Sequence, residues 1–213
     1  MNITKTIKLF ALFLLFSTIK VQSLVAEDFT ILAFGDSLTA GYGLPPEQGF
    51  THQLEQELKR LGHNVTVING GVSGDTTSGG LARLEWLLSA GRPDLVILEL
   101  GANDALRGIT PEITRANMER MLSILEQAKI RTLVAGMIAP PNMGDEYGRE
   151  FNRIFPELSK KYNDGLYPFF LEGVAGNPEL NQSDAIHPNS DGVAVIVKNI
   201  IPYISEYLQN FAG

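Results

Sequence analysis

The chain has 213 residues, of which 44% are hydrophobic and 19% charged, with no cysteine and a formal net charge of −7. That length and balance suit one globular domain with a sizeable core, and the missing cysteines exclude disulfides and a lipid-bearing N-terminal cysteine. Residues 1–26 hold three lysines and no acid, so 14 basic residues face 24 acidic ones in the remainder; with no basic stripe, nucleic acid is not expected as a partner, because phosphate binding relies on clustered Lys and Arg.

In chain order, the first element is a leader. Lys5 and Lys8 precede the apolar run Leu9–Phe16, and Leu24-Val25-Ala26 stands ahead of Glu27-Asp28. A basic segment, a short apolar core and a small residue at a cleavage point describe a secretory signal peptide. A membrane-spanning helix needs roughly 20 apolar residues, and Ser17, Thr18 and Lys20 interrupt this run. Residues 1–26 are therefore expected to be a signal peptide, cut after Ala26 or alternatively after Ser23, and residues 27–213 the mature domain, exported to the periplasm or the medium.

Beyond the leader, apolar runs alternate with amphipathic ones. Strands are predicted at Phe29–Phe34, Val65–Asn69, Leu95–Leu100, Thr132–Ile138 and Leu166–Phe170, and helices at Phe50–Leu61, Gly80–Ala90, Pro111–Lys129, Gly148–Tyr162 and Ser190–Phe211. Leu54, Leu58 and Leu61 recur at helical spacing before the stop at Gly62. Thr110-Pro111 reads as a cap followed by proline at the first helical position. The segment "LVILEL" is apolar on both faces, the pattern of a parallel strand covered by helices on both sides. Five strand–helix alternations predict a single-domain, doubly wound α/β sandwich, whose ligands bind beyond the carboxyl ends of the strands.

Those ends carry the polar residues. The first strand runs into Gly35-Asp36-Ser37-Leu38, the second into "NGGVSGDT" (Asn69–Thr76), the third into "GAND" (Gly101–Asp104), and "SDAIHP" (Ser183–Pro188) precedes the last helix. A serine hydroxyl is a weak nucleophile that needs an adjacent base. Of three histidines, His52 and His63 flank an amphipathic helix and read as surface residues; His187 lies three residues after Asp184, an acid able to fix its tautomer. An unperturbed imidazole titrates near about 6.5, which suits a base working near neutral pH. Gly74, Asn103 and the Ser37 backbone N–H can supply oxyanion donors. Each feature has a plainer reading alone: Ser37 as a helix starter, Gly74 as a turn glycine, Asn103-Asp104 as a helix-starting turn, His187-Pro188 as a cap. Their coincidence at one end of a sheet favours a site. No G-x-S-x-G elbow and no complete G-x-G-x-x-G fingerprint is present. One histidine among Asp36, Asp75, Asp104 and Asp184 makes a poor metal set, so neither metal nor cofactor is expected.

Together "GDSLTAGYG", "SGDTTSGGLARL", "ELGANDALRG" and "DAIHPN" resemble the SGNH, or GDSL, hydrolase superfamily, and within it the exported bacterial arylesterase, acyl-CoA thioesterase and lysophospholipase group. The resemblance implies a three-layer α/β/α sandwich with a five-stranded parallel sheet of flavodoxin-like type. It implies a serine hydrolase of acyl esters and thioesters with Ser37, Asp184 and His187 catalytic, and Ser37, Gly74 and Asn103 forming the oxyanion hole. Asp36 and Asp104 are expected to be scaffolding, and Thr76–Gly80 a mobile flap. Met143–Glu146 reads as extra sequence beside the acyl pocket. The expected partner is a small acyl ester, thioester or lysophospholipid met by a monomer. A carbohydrate O-deacetylase with the same triad and a non-catalytic binding domain on the same fold are the alternatives.

Overall fold

A computed structural model describes residues 28–209; the leader and the end of the last predicted helix fall outside them. Five parallel strands form one sheet: β1 (Phe29–Gly35), β2 (Val65–Gly71), β3 (Leu95–Glu99), β4 (Arg131–Ala135) and β5 (Gly165–Tyr167), in the order β2-β1-β3-β4-β5. The chain steps from β1 to β2 on one side, then to β3 on the other. That reversal opens a crevice at the carboxyl ends of β1 and β3.

The helices are α1 (Ser37–Ala40), α2 (Phe50–Arg60), α3 (Thr77–Ser89), α4 (Ala102–Leu106), α5 (Pro111–Gln127), α6 (Asp145–Asn152), α7 (Ile154–Tyr162) and α8 (Ser190–Gln209). Helix α2 buries Leu54 and Leu58, and α8 buries Ile196, Ile200 and Ile204, stripes at helical spacing that face the core. Every residue of β3 is buried, so helices cover both its faces.

One expectation is revised. The segment predicted as one helix over Gly148–Tyr162 is two, broken at Arg153. Pro156 accounts for the break: it has no N–H to give the Asn152 carbonyl, and its ring crowds that carbonyl. The freed turn is used, because the Asn152 side chain accepts a hydrogen bond from the Ala139 N–H at 2.8 Å. The segment read as a flap is the N-terminal turn of α3 and its cap. Thr77 is fully buried there, and a Cβ on Gly80 would lie 2.3 Å from a Leu100 methyl. The glycine allows close helix–strand packing, and no hinge is needed to explain it.

Candidate active site

The site starts from a missing side chain. A Cβ on Gly35 would stand 2.1 Å from the Thr39 hydroxyl and 2.3 Å from a Glu99 carboxylate oxygen. Glycine at the end of β1 thus lets β3 push an acid beneath the following turn. Asp36 then caps α1, its Oδ1 accepting the Leu38 N–H at 3.0 Å. Gly41, left-handed with φ 80°, ends the helix after one turn. Ser37 is the first helical residue, largely buried, and its N–H is one of those a helix start leaves without an internal partner.

The Ser37 hydroxyl lies 2.9 Å from His187 Nε2, and His187 Nδ1 lies 2.7 Å from Asp184 Oδ2. The two residues of the last loop meet locally: Asp184 Oδ1 also accepts the N–H groups of Ile186 at 2.9 Å and His187 at 3.0 Å. Those backbone donors, with the imidazole and led by the His187 N–H, draw the Asp184 carboxyl down to about 2. His52 is exposed and His63 half-buried, both away from this cluster.

Asn103, in the first turn of α4, reaches back to Asp36: its Nδ2 donates to Asp36 Oδ2 at 3.0 Å. The amide has a second hydrogen, and Asn103, Ser37 and His187 border one cleft. Gly74 sits in the β2–α3 loop with φ 82° and does not border that cleft. Its carbonyl accepts from Arg107 at 2.7 Å, and neither its N–H nor that of Ser37 donates to another group among the described residues. Arg83 holds the same loop from the other side. It donates to Asp75 at 2.6 Å and to the Gly70 and Gly35 carbonyls at 2.7 and 2.9 Å, its guanidinium 4.1 Å over the Phe34 ring. Asp104 ties α4 to this region by accepting from the Thr77 N–H and hydroxyl and from Thr114. Scaffolding describes Asp104 well; Asp36 does more, since it orients an amide at the cleft.

Glu99 is the residue that sequence reasoning missed, although an acid inside "LVILEL" was a visible signal. It is fully buried, accepting from the Thr39 hydroxyl at 2.7 Å and the Asp36 N–H at 3.3 Å, while Oε1 has no partner among the described residues. Burial first, and then the Asp36 charge, push its carboxyl well up. Burial also raises Asp36, to about 6, against the Leu38 and Asn103 hydrogen bonds. Asp36 receives the better donors, so the ionised form belongs there and the proton on Glu99. Asp164 is raised to about 7 by burial and by Glu126. A carboxyl whose folded pKa is raised stabilises the fold below its ordinary value and loses that contribution as pH rises through the folded value. Asp184 works oppositely, with stability present above its ordinary value and lost as pH falls toward about 2. The melting temperature is thus expected to be higher at pH 5 than at pH 7.5 and to fall again below pH 4. Glu99→Gln, which keeps the shape without the charge, should flatten part of the upper slope and retain full activity. A thermal denaturation series in both proteins checks this; a severe loss of activity in Glu99→Gln would mean that an ionised Glu99 is required.

The cleft itself has a volume of about 660 Å³, within the range of small-molecule sites, roughly 300–1,000 Å³. Besides the polar cluster it is walled by Leu106, Met137, Ile138, Pro140, Phe169 and Leu171. Among the described residues no lysine or arginine lines it.

A serine, an imidazole and a carboxylate joined by hydrogen bonds beside a side-chain amide, at the switch point of a 2-1-3-4-5 parallel sheet, is the arrangement of the SGNH class of hydrolase. The GDSL-like lipase/acylhydrolase family model matches residues 33–195, and the chain belongs to that family. It is an acyl hydrolase. An arylesterase of Vibrio mimicus is 39% identical over 194 residues, 91% of this chain and 92% of its own. The thioesterase 1/protease 1/lysophospholipase L1 of Escherichia coli K12 is 38% identical over 162 residues, 76% of each chain. Among solved structures, the psychrotrophic esterase EstA from Pseudoalteromonas, inhibited by monoethylphosphonate, matches with a TM-score of 0.81 at 34% identity, over 85% of this chain and 100% of that one.

Proposed function

We propose that the protein hydrolyses acyl esters and thioesters with Ser37 as nucleophile, His187 as general base and acid, and Asp184 as the group that orients and charge-balances the imidazole. His187 Nε2 takes the Ser37 proton as Oγ attacks the acyl carbonyl. The Ser37 N–H and the Asn103 amide, both at the cleft, stabilise the oxyanion, and the Gly74 N–H, in the adjoining β2–α3 loop outside the cleft lining, is the third donor assigned to it. The leaving alcohol or thiol receives the proton from His187, and water, activated by the same ring, releases the acid and restores Ser37. That the esterase EstA is inhibited by a phosphonate supports a nucleophilic serine in a relative.

The observation that carries the substrate reading is the apolar wall facing the Ser37–His187 pair. An alkyl chain gains from leaving water against such a surface, whereas a sugar would leave its hydroxyls without partners there. Acyl chains longer than acetyl are therefore preferred over O-acetylated carbohydrate. On p-nitrophenyl esters from C2 to C12, kcat/KM is expected to rise to a maximum between C6 and C12, with about tenfold discrimination against C2. Activity confined to the acetate would favour the deacetylase reading. A fluorophosphonate probe should label the protein at Ser37; an unlabelled, inactive protein would favour the binding-domain reading. Export belongs to the same proposal and rests on the leader-like residues 1–26; no helix among the described residues is long and apolar enough to cross a membrane.

A further inference from the structure

Asp184 can orient His187 only within their own loop. Both belong to the turn closed by the Asn181–Pro188 bridge, and their contacts span three residues. Ser37 lies 150 positions away in the chain. A base acts only within hydrogen-bond reach of its proton, and a misplacement of about 1 Å can cost on the order of 10²-fold. Some contact other than Asp184 must therefore set the distance between the two loops.

Two residues with no place in the proposed reaction span that gap. The Gln182 amide uses both of its hydrogens, donating to the Tyr42 carbonyl at 2.8 Å and to the Pro188 carbonyl at 2.9 Å. Its own backbone N–H donates to the His187 carbonyl at 2.7 Å. Tyr42 is bound in turn to the nucleophile's helix turn, its N–H donating to the Ser37 carbonyl at 3.0 Å. The Tyr42 ring leans on the His187 ring, with centroids 4.6 Å apart and planes at 39°. Although 52% exposed, Tyr42 thus covers one flank of the imidazole. Gly43 completes the arrangement: its φ is 74°, and a Cβ there would stand 2.2 Å from Gln182 Oε1. The glycine leaves room for the amide to cross.

We propose that Gln182 and Tyr42 are positioning residues, a strap from the nucleophile's turn to the base's loop that keeps the His187 ring over Ser37. The aromatic face also attracts the imidazole once it has taken the proton and become a cation. This rests on the assignment of Ser37 and His187 given above. Neither Gln182 nor Tyr42 borders the cleft, so their loss should appear in kcat and leave KM alone.

Kinetics of the full protein on a mid-chain p-nitrophenyl ester test the strap. Gln182→Glu keeps length and shape but loses both N–H donors, and Tyr42→Ala removes the ring. Each is expected to lower kcat about 10- to 100-fold with KM within about twofold. Tyr42→Phe keeps the ring and should restore kcat to within about twofold of the parent. The Nδ1–H proton resonance of the His187–Asp184 contact should persist in Gln182→Glu, because that contact is local. Unchanged kcat in both Gln182→Glu and Tyr42→Ala would overturn the proposal, as would a rise in KM at constant kcat, which would make Tyr42 a substrate contact. So would a kcat loss in Tyr42→Phe equal to that in Tyr42→Ala. If Gln182→Glu does not fold, the Tyr42 pair decides alone. Ser37→Ala in the same assay separates the two failures: an active Ser37→Ala sinks the serine mechanism. An inactive one beside fully active strap variants sinks only the strap.

Discussion

Ser37→Ala is expected to lose about 10⁴- to 10⁶-fold in kcat on any acyl ester, with no label from a fluorophosphonate probe and an unchanged melting temperature. The size follows from the unit that is broken: without Oγ the base has no nucleophile to activate, and only binding and oxyanion donors remain. The fold should be indifferent, because among the described residues the Ser37 side chain has a single hydrogen-bond partner, His187, and caps nothing. The turn is held by Asp36, Gly41 and Glu99 through other atoms. Circular dichroism and a hydrolysis assay on one preparation give both readings. An active Ser37→Ala protein would require another nucleophile and would end the proposed mechanism.

Asn103→Ala is expected to lower kcat about 10²- to 10³-fold with little effect on KM. A donor aimed at charge that develops only in the transition state contributes nothing to ground-state binding. Asp36 will feel the change as well. It would keep the Leu38 N–H but lose the Asn103 amide while remaining fully buried, so its pKa should rise further and the fold should weaken more at pH 8 than at pH 5. Asn103→Asp is expected to be worse in both respects, setting a second carboxylate against Asp36 Oδ2 in place of a donor. Steady-state kinetics with pH-dependent melting separates the two effects. A rise in KM without loss of kcat would assign Asn103 to substrate binding and leave the oxyanion to the backbone.

What was legible in the sequence has a physical pattern. The five strands could be read because buried parallel strands must be apolar on both faces, and Leu95–Leu98 have no other use. The polar loops at their ends could be read because serine, histidine and aspartate are chemically distinctive and three histidines can be enumerated. The Asp184–His187 contact is local, three residues apart, and became legible once the other loops were placed at the same end of the sheet. Long-range polar partners were not legible. Glu99 under Gly35, Arg107 on the Gly74 carbonyl and Gln182 on the Tyr42 carbonyl join residues that only the finished sheet brings together. The packing at Gly80 was not legible either: its missing Cβ leaves room for Leu100. Pro156 lies inside the stretch predicted as one helix, and Asn152, at the end of the helix before the break, gives its side chain to the Ala139 N–H.

The strand order has a consequence for how such a protein can change. Ser37, Gly74 and Asn103 descend from β1, β2 and β3, three adjacent strands on one half of the sheet. Ile138 and Pro140 follow β4, and Phe169 and Leu171 follow β5, on the other half. Asp184 and His187 also follow β5, but farther along, in the loop before α8; exchanges directly after β4 and β5 therefore meet the apolar wall first and leave the loops after β1, β2 and β3 unchanged. A library confined to residues 137–144 and 169–176 is expected to change acyl selectivity while Ser37 and His187 stay in place.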